Sequence, residues 1–174
     1  EKPRDPKSHI IDRPMIKRIA FWGLLFFGLL ISLWEIMLHV NITSVAQLLN
    51  WETISEGISG TLGHTSTELT RYEMGIFFST FVMLQVWNLF NAKVYRSKHS
   101  VLSSLFSKTD VSISFYLILA VILVGQVLIV NTLGNFFDVA PLTGGDWLRI
   151  VAVTSPVLLI PEIVRWIKNA LARK

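Results

Sequence analysis

The sequence predicts an all-α polytopic membrane protein: four transmembrane helices in two hairpins, with N and C termini both cytoplasmic. Three observations carry this. The chain of 174 residues is 52% hydrophobic with a mean hydropathy of +0.53, more apolar than soluble domains usually are. Its apolar residues are gathered into four runs of roughly 20, the length needed to cross about 30 Å of hydrocarbon as a helix. Its lysines and arginines alternate in density between those runs. Backbone polar groups cannot stay unpaired in lipid, so helices are the expected form of each run. Four such spans occupy nearly half the chain and leave no room for a soluble catalytic domain. Cysteine is absent, which excludes disulfides, thiolate metal sites and a cysteine nucleophile.

The elements follow in order. Residues 1–18 begin Glu-Lys-Pro-Arg-Asp-Pro-Lys and carry Pro3, Pro6 and Pro14, so they read as an extended cytoplasmic linker. The first residue is Glu1, and no apolar core follows it as in a signal peptide; the expectation is a piece of a longer protein. The first span is 19–40, interrupted by Ser32, Glu35 and His39. Residues 41–72, with Gly57, Gly60 and Gly63, read as an extracytoplasmic loop with short helical pieces. The second span is 73–92 and the cytoplasmic loop 93–110. The third span, 111–130, has Ser112, Ser114 and Gln126 as its clear polar breaks. A loop at 131–146 holds Pro141, Gly144 and Gly145. The fourth span is 147–167, before a basic tail at 168–174.

Orientation comes from charge. Segments 1–18, 93–110 and 165–174 hold six, four and four of the 16 lysines and arginines; the two intervening loops and their flanks hold only Arg71 and Arg149. By the positive-inside rule the basic side is cytoplasmic. Glu52, Glu56, Glu68, Glu73, Asp138 and Asp146 fall on the other side. Trp22, Trp34, Trp147 and Trp166 sit near span ends, as interfacial anchors do, with core packing as the alternative. The basic segments read as orientation signals and contacts to anionic lipid. They flank membrane spans with no accompanying fold, which excludes nucleic acid as a partner.

Polar groups within the spans are where chemistry is expected. Gln85, Asn88 and Asn91 recur every three residues and fall along one stripe. Gln85 lies about 12 Å from the inner boundary, given 1.5 Å per residue. Its amide can ligate a hard cation or bond another helix, and helix–helix glue is the structural alternative for the whole stripe. Glu35 reads as an interfacial carboxylate paired with His39 or water. Glu162 reads as the i, i+3 partner of Arg165, or as a contact to a neighbouring loop. Pro156 and Pro161 should kink the last span and free carbonyls near 152 and 157. Those carbonyls could bind ions, but neighbouring helices usually satisfy them. His9, His64 and His99 lack metal-ligand spacing, and there is no phosphate-binding glycine loop.

The segments resemble a known family. Lys2-Pro-Arg-Asp-Pro-Lys-Ser-His-Ile-Ile11 resembles the cytoplasmic loop before the seventh transmembrane helix of P-type calcium-transporting ATPases. Phe81-Val-Met-Leu-Gln-Val-Trp-Asn-Leu-Phe-Asn-Ala-Lys93 is similar to their eighth helix. Asp146-Trp-Leu and Thr154-Ser-Pro-Val-Leu-Leu-Ile-Pro-Glu-Ile-Val-Arg-Trp-Ile167 are similar to the tenth. The resemblance implies helices seven to ten of a P2-type cation pump. Gln85 matches a glutamate that helps bind one of two calcium ions in the sarcoplasmic-reticulum type. A glutamine stands there in the plasma-membrane type, thought to carry one ion per cycle, and a neutral amide points the same way. Asn88 and Asn91 match asparagines on that helix, and Glu162 matches a structural position.

The resemblance also implies what lies elsewhere. The phosphorylated aspartate, the nucleotide-binding and actuator domains and the main ion-binding helices belong upstream, and this segment has no Asp-Lys-Thr-Gly-Thr. Mg2+, ATP and transported Ca2+ would belong to the parent protein, with no cofactor or certain metal site in this segment. Its partners would be the lipid bilayer and the upstream transmembrane and cytoplasmic domains of the same pump, in a plasma or inner membrane. Two other readings remain: a free-standing four-helix membrane adaptor or assembly protein, and a small channel. The channel would need polar stripes on more than one span.

Overall fold

The computed structural model describes residues 13–60, 68–93 and 113–171. They form α1 (Arg13–His39), a 3₁₀ turn (Val45–Leu49), α2 (Trp51–Ser59), α3 (Arg71–Lys93), α4 (Ile113–Thr132), the single turn α5 (Gly134–Phe137), α6 (Gly144–Thr154), a second 3₁₀ turn (Ser155–Leu158) and α7 (Leu159–Leu171). No strand occurs among the described residues. Three of these helices, α1, α3 and α4, are long and apolar enough to cross a membrane.

The fourth apolar run departs from the expected continuous span. It is divided into α6, a 3₁₀ turn and α7. Pro156 and Pro161 are the cause, because neither can donate to the carbonyl four residues earlier and each ring crowds the preceding turn. Both freed carbonyls are satisfied. Ser155 Oγ donates to Ala152 O at 2.9 Å, and Asn91 Nδ2 donates to Val157 O at 3.3 Å.

Helix α3 is the centre of the assembly, packing against α1, α4, α6 and the second 3₁₀ turn. The larger buried cluster gathers Met37, Ile42, Ile76, Val86, Val130 and Ile150 from different elements. A second cluster, Trp22, Phe26, Leu84 and Val157, joins α1 to α3 and the turn. Trp22 is therefore a core residue and not an interfacial anchor; it lies about two and a half turns into the first helix, packed with Phe26, Leu84 and Val157. Trp34 stacks edge-on against Phe77. Helix α4 keeps most of its apolar side chains outward, as a lipid-facing helix does.

Hydrogen bonds gather at the Tyr72 end of α3. Thr70 and Glu73 form a capping box: Thr70 N and Oγ1 donate to Glu73 Oε2 at 2.8 and 2.7 Å, and Glu73 N donates back to Thr70 Oγ1 at 3.3 Å. The other carboxylate oxygen, Oε1, accepts from Ile42 N at 2.8 Å, which ties the chain leaving α1 to the start of α3. Arg71 holds the second hairpin. Its guanidinium reaches Gly134 O, Asn135 Oδ1 and Asp138 Oδ1 at 3.2, 3.0 and 2.9 Å, and its carbonyl accepts from Ala140 N at 2.8 Å. Gly75 permits this approach, since a Cβ there would stand 2.9 Å from Ala140 O.

The same device opens α6. Thr143 N and Oγ1 donate to Asp146 Oδ2 at 3.1 and 2.7 Å, and Arg149 Nη1 lies 3.7 Å from Oδ1. The Tyr72 phenol lies beside Asp146 and the Val45 backbone, near enough for each to shift its ionisation. Three chain segments thus meet at one phenol. Burial opposes ionisation of Asp146, but the Thr143 and Tyr72 hydrogen bonds and the Arg149 charge outweigh it and hold the carboxyl below the usual aspartate range. Burial, and then the bonded carboxylate, push the Tyr72 phenol above its usual range.

A pH window follows. The contribution of Asp146 is full above about pH 4, the ordinary aspartate value, and is lost as pH falls through its lowered value. The contribution of the Tyr72 phenol is full below about pH 10 and is lost as pH rises through its raised value. Asp146→Asn should lower stability at pH 7 by about 1–3 kcal/mol and flatten the acid limb of a melting-temperature profile. An acid limb identical to that of the parent protein would show that Asp146 is not the group responsible.

Candidate functional site

The polar stripe of α3 does not remain on one face. Steps of three residues fall about 60° short of a full turn at 3.6 residues per turn, so two steps rotate the stripe by about 120°. Gln85 is exposed, Asn88 is half-buried and Asn91 is fully buried. The structure therefore separates residues that the sequence grouped together. Gln85 and Asn88 share an environment, and Asn91 has another.

Gln85 and Asn88 line a groove of about 470 Å³ between α1 and α3. Its walls include Trp22, Phe26, Leu30 and Phe81, and Arg18 and Ala92 lie at one end. The floor is open at Gly23, where a Cβ would meet nothing within 4 Å. Gln85 thus stands exposed in a groove with apolar walls, well inside a helix long enough to span. An amide left unpaired in hydrocarbon costs several kcal/mol, about 4–8 on water-to-cyclohexane scales. Small residues such as Gly23 are what permit close helix approach in membranes.

Asn91 acts within the fold. Its Nδ2 supplies the donor that Pro161 withholds from Val157 O, and its backbone carbonyl accepts from Arg18 Nη2 at 2.7 Å. One turn earlier, Trp87 Nε1 donates to Thr154 Oγ1 at 2.8 Å, and that hydroxyl donates to Ile150 O at 2.7 Å. For Asn91 the glue reading is the one the contacts support. Its Oδ1 is buried without a hydrogen-bond partner. On the opposite side of α3, Gln126 of α4 reaches Ser79 Oγ at 3.4 Å.

The other expected residues sit apart from the groove. Glu35 is exposed, and its Oε2 is 3.9 Å from His39 Nδ1. His39 Nδ1 makes its closer contact, 2.8 Å, with the backbone carbonyl of Glu35, so the side-chain pair is loose. The side chains of Glu162 and Arg165 lie outside the described residues, as do His9, His64 and His99. No group of His, Asp and Glu suited to a metal ion occurs among the described residues. Sequence reading missed Arg18, Gly23, Arg71 and Glu73 as organising residues. The Thr70-x-x-Glu73 and Thr143-x-x-Asp146 spacings are visible capping-box signatures. Nothing in the sequence pointed Arg18 at Asn91.

Asn91→Ala should leave the Val157 carbonyl unpaired and destabilise the protein by about 1–3 kcal/mol, seen as a lower melting temperature in detergent. Asn91→Asp at neutral pH should not rescue it, because a carboxylate cannot donate to a carbonyl. An unaltered melting temperature for Asn91→Ala would remove the tie from the account.

Comparison with known proteins agrees with this architecture. The family model described as "Cation transporting ATPase, C-terminus" matches residues 1–167. No curated protein and no solved structure gives a significant match. The match covers all four apolar runs, including the groove helices α1 and α3 and the proline-broken α6–α7 segment, and on that ground the chain belongs to the family of cation-transporting ATPase C-terminal regions.

Proposed function

We propose that this chain is the C-terminal membrane region of an ATP-driven Ca2+ pump close to the plasma-membrane type, with four crossings and cytoplasmic ends. Membership of the cation-transporting ATPase family supports a pump over a free-standing adaptor. The fourth crossing consists of α6, the 3₁₀ turn and the start of α7. The chain supports the upstream transport helices and does not hydrolyse ATP by itself. ATP, Mg2+ and the phosphorylated aspartate belong to the upstream domains.

The observation that carries the proposal is the exposed Gln85 amide in the groove between α1 and α3. An upstream transport helix closes over that groove, with Gly23 admitting its backbone and Gln85 and Asn88 supplying amides beside the ion path. A neutral glutamine offers a carbonyl oxygen to a hard cation without adding charge. That chemistry favours a single-ion cycle and leaves the main binding charge to carboxylates on the upstream helices.

Gln85→Leu in the full-length pump should weaken apparent Ca2+ affinity or slow turnover by several-fold, read as Ca2+-dependent ATP hydrolysis and vesicle uptake. The melting temperature, measured on the same variant, separates a kinetic effect from a loss of stability. Unchanged kinetics over the full Ca2+ titration would exclude Gln85 from the ion path.

A further inference from the structure

Helix α7 is the most strongly amphipathic of the described helices. At 100° per residue, Leu159, Ile160, Ile163, Val164, Ile167 and Leu171 fall within an arc of about 140°, as wide as a buried stripe requires. Trp166 stands at the margin of that arc. Sequence positions 162, 165, 168 and 169, which are Glu, Arg, Lys and Asn, fall on the other side, and Arg173 and Lys174 follow. Among the described residues the apolar arc is packed at its beginning, where Ile160 joins the cluster of Trp22, Phe26, Leu84 and Val157. Beyond that turn it is largely open: Ile163, Val164, Ile167 and Leu171 are 53%, 43%, 44% and 68% exposed.

The position of this helix along the bundle decides what covers it. Arg18 in the first turns of α1, Asn91 in the last turn of α3 and Val157 are linked by hydrogen bonds and lie at one level. Arg18 immediately precedes the apolar part of α1, and Lys93 closes α3, so this level is a membrane boundary. Helix α6 and the 3₁₀ turn have therefore covered most of the crossing by Val157, about 24 Å of path. The 13 residues of α7 add about 20 Å. The total exceeds the hydrocarbon thickness of about 30 Å. A straight continuation would carry Ile167 and Leu171 into water with their apolar face bare.

We infer that α7, from about Ile163 onward, lies in the plane of the membrane on its basic side and binds the surface of the anionic leaflet. Its apolar arc sits among the upper acyl chains. Sequence positions 165 and 168, both basic, fall on the side of the helix away from that arc, which is where an interfacial helix turns toward the headgroups. An interfacial helix buries its apolar face about 5–10 Å deep and is strengthened by anionic lipid in this manner. The 3₁₀ turn at Ser155–Leu158 and Pro161 supply the break that a change of direction needs. The inference goes beyond the assignment to a pump. It uses only the orientation of that reading, which a thiol at Ser97, reactive from the cytoplasmic side alone, tests separately.

The test uses the full-length protein in phosphatidylcholine vesicles with and without phosphatidylserine. Single nitroxide labels are placed at Ile163, Ile167, Leu171 and Arg165, all with melting temperatures checked against the unlabelled protein. Collision with oxygen against a water-soluble nickel chelate reports depth. The expected result is one shallow depth for 163, 167 and 171, nickel access at 165, and a several-fold loss of oxygen preference at 171 when phosphatidylserine is omitted. Depth that changes steadily from 163 to 171 would overturn the inference in favour of a spanning helix. Nickel access at all four sites would place α7 in water, and low collision with both reagents at 163, 167 and 171 would mean that protein covers it. An equal oxygen preference in both vesicle types would remove the role of anionic lipid.

Discussion

A carbonyl that loses its helical donor among packed helices must find another partner, and the arrangement of this protein depends on where two such carbonyls find theirs. Pro161 frees Val157 O, and Asn91 of α3 answers it. Pro156 frees Ala152 O, and the neighbouring Ser155 hydroxyl answers that. The first of these bonds fixes the broken fourth segment against the central helix at a defined height. Because the Asn91 backbone carbonyl also receives Arg18, it fixes α1 at the same height. Three segments distant in sequence are brought into register at one residue of α3, through its side chain and its backbone carbonyl.

That register has consequences on both sides of α3. Turning Asn91 inward leaves Gln85, about 120° away around the helix, facing out into the groove with α1. The amide most interesting for cation chemistry is thus placed outward by the amide most important for packing. At the far end of α3, two Thr-x-x-acid capping boxes and the Tyr72 phenol close the bundle. Their charges are satisfied locally by backbone N–H groups and hydroxyls, so that end is a rigid clasp. The groove, in contrast, has apolar walls, an open glycine and an amide with its face uncovered.

Much of this was legible in the sequence, for identifiable reasons. Apolar runs locate α1, α3 and α4 because lipid demands both length and hydrophobicity from a span. The prolines announced the freed carbonyls at 152 and 157 because proline chemistry is local. The partner of Val157 was not legible, since it depends on how α3 rotates against α6. For the same reason the three-residue stripe read as one face, although the arithmetic of the helix separates Gln85 from Asn91. Trp22 read as an anchor because a span end and a helix crossing look alike in one dimension. The fourth run read as a single span because composition alone does not distinguish a straight crossing from one that breaks and continues amphipathically.

The central claim is that the groove bearing Gln85 faces protein in the complete molecule and not lipid. A single cysteine at Gln85 in the full-length protein, challenged with a lipid-soluble thiol reagent and with cysteines on the upstream transmembrane helices, tests it most directly. The account predicts protection from the lipid-soluble reagent and a disulfide to an upstream helix, with a yield that changes when Ca2+ is added. Rapid labelling from the lipid phase with no cross-link would contradict it.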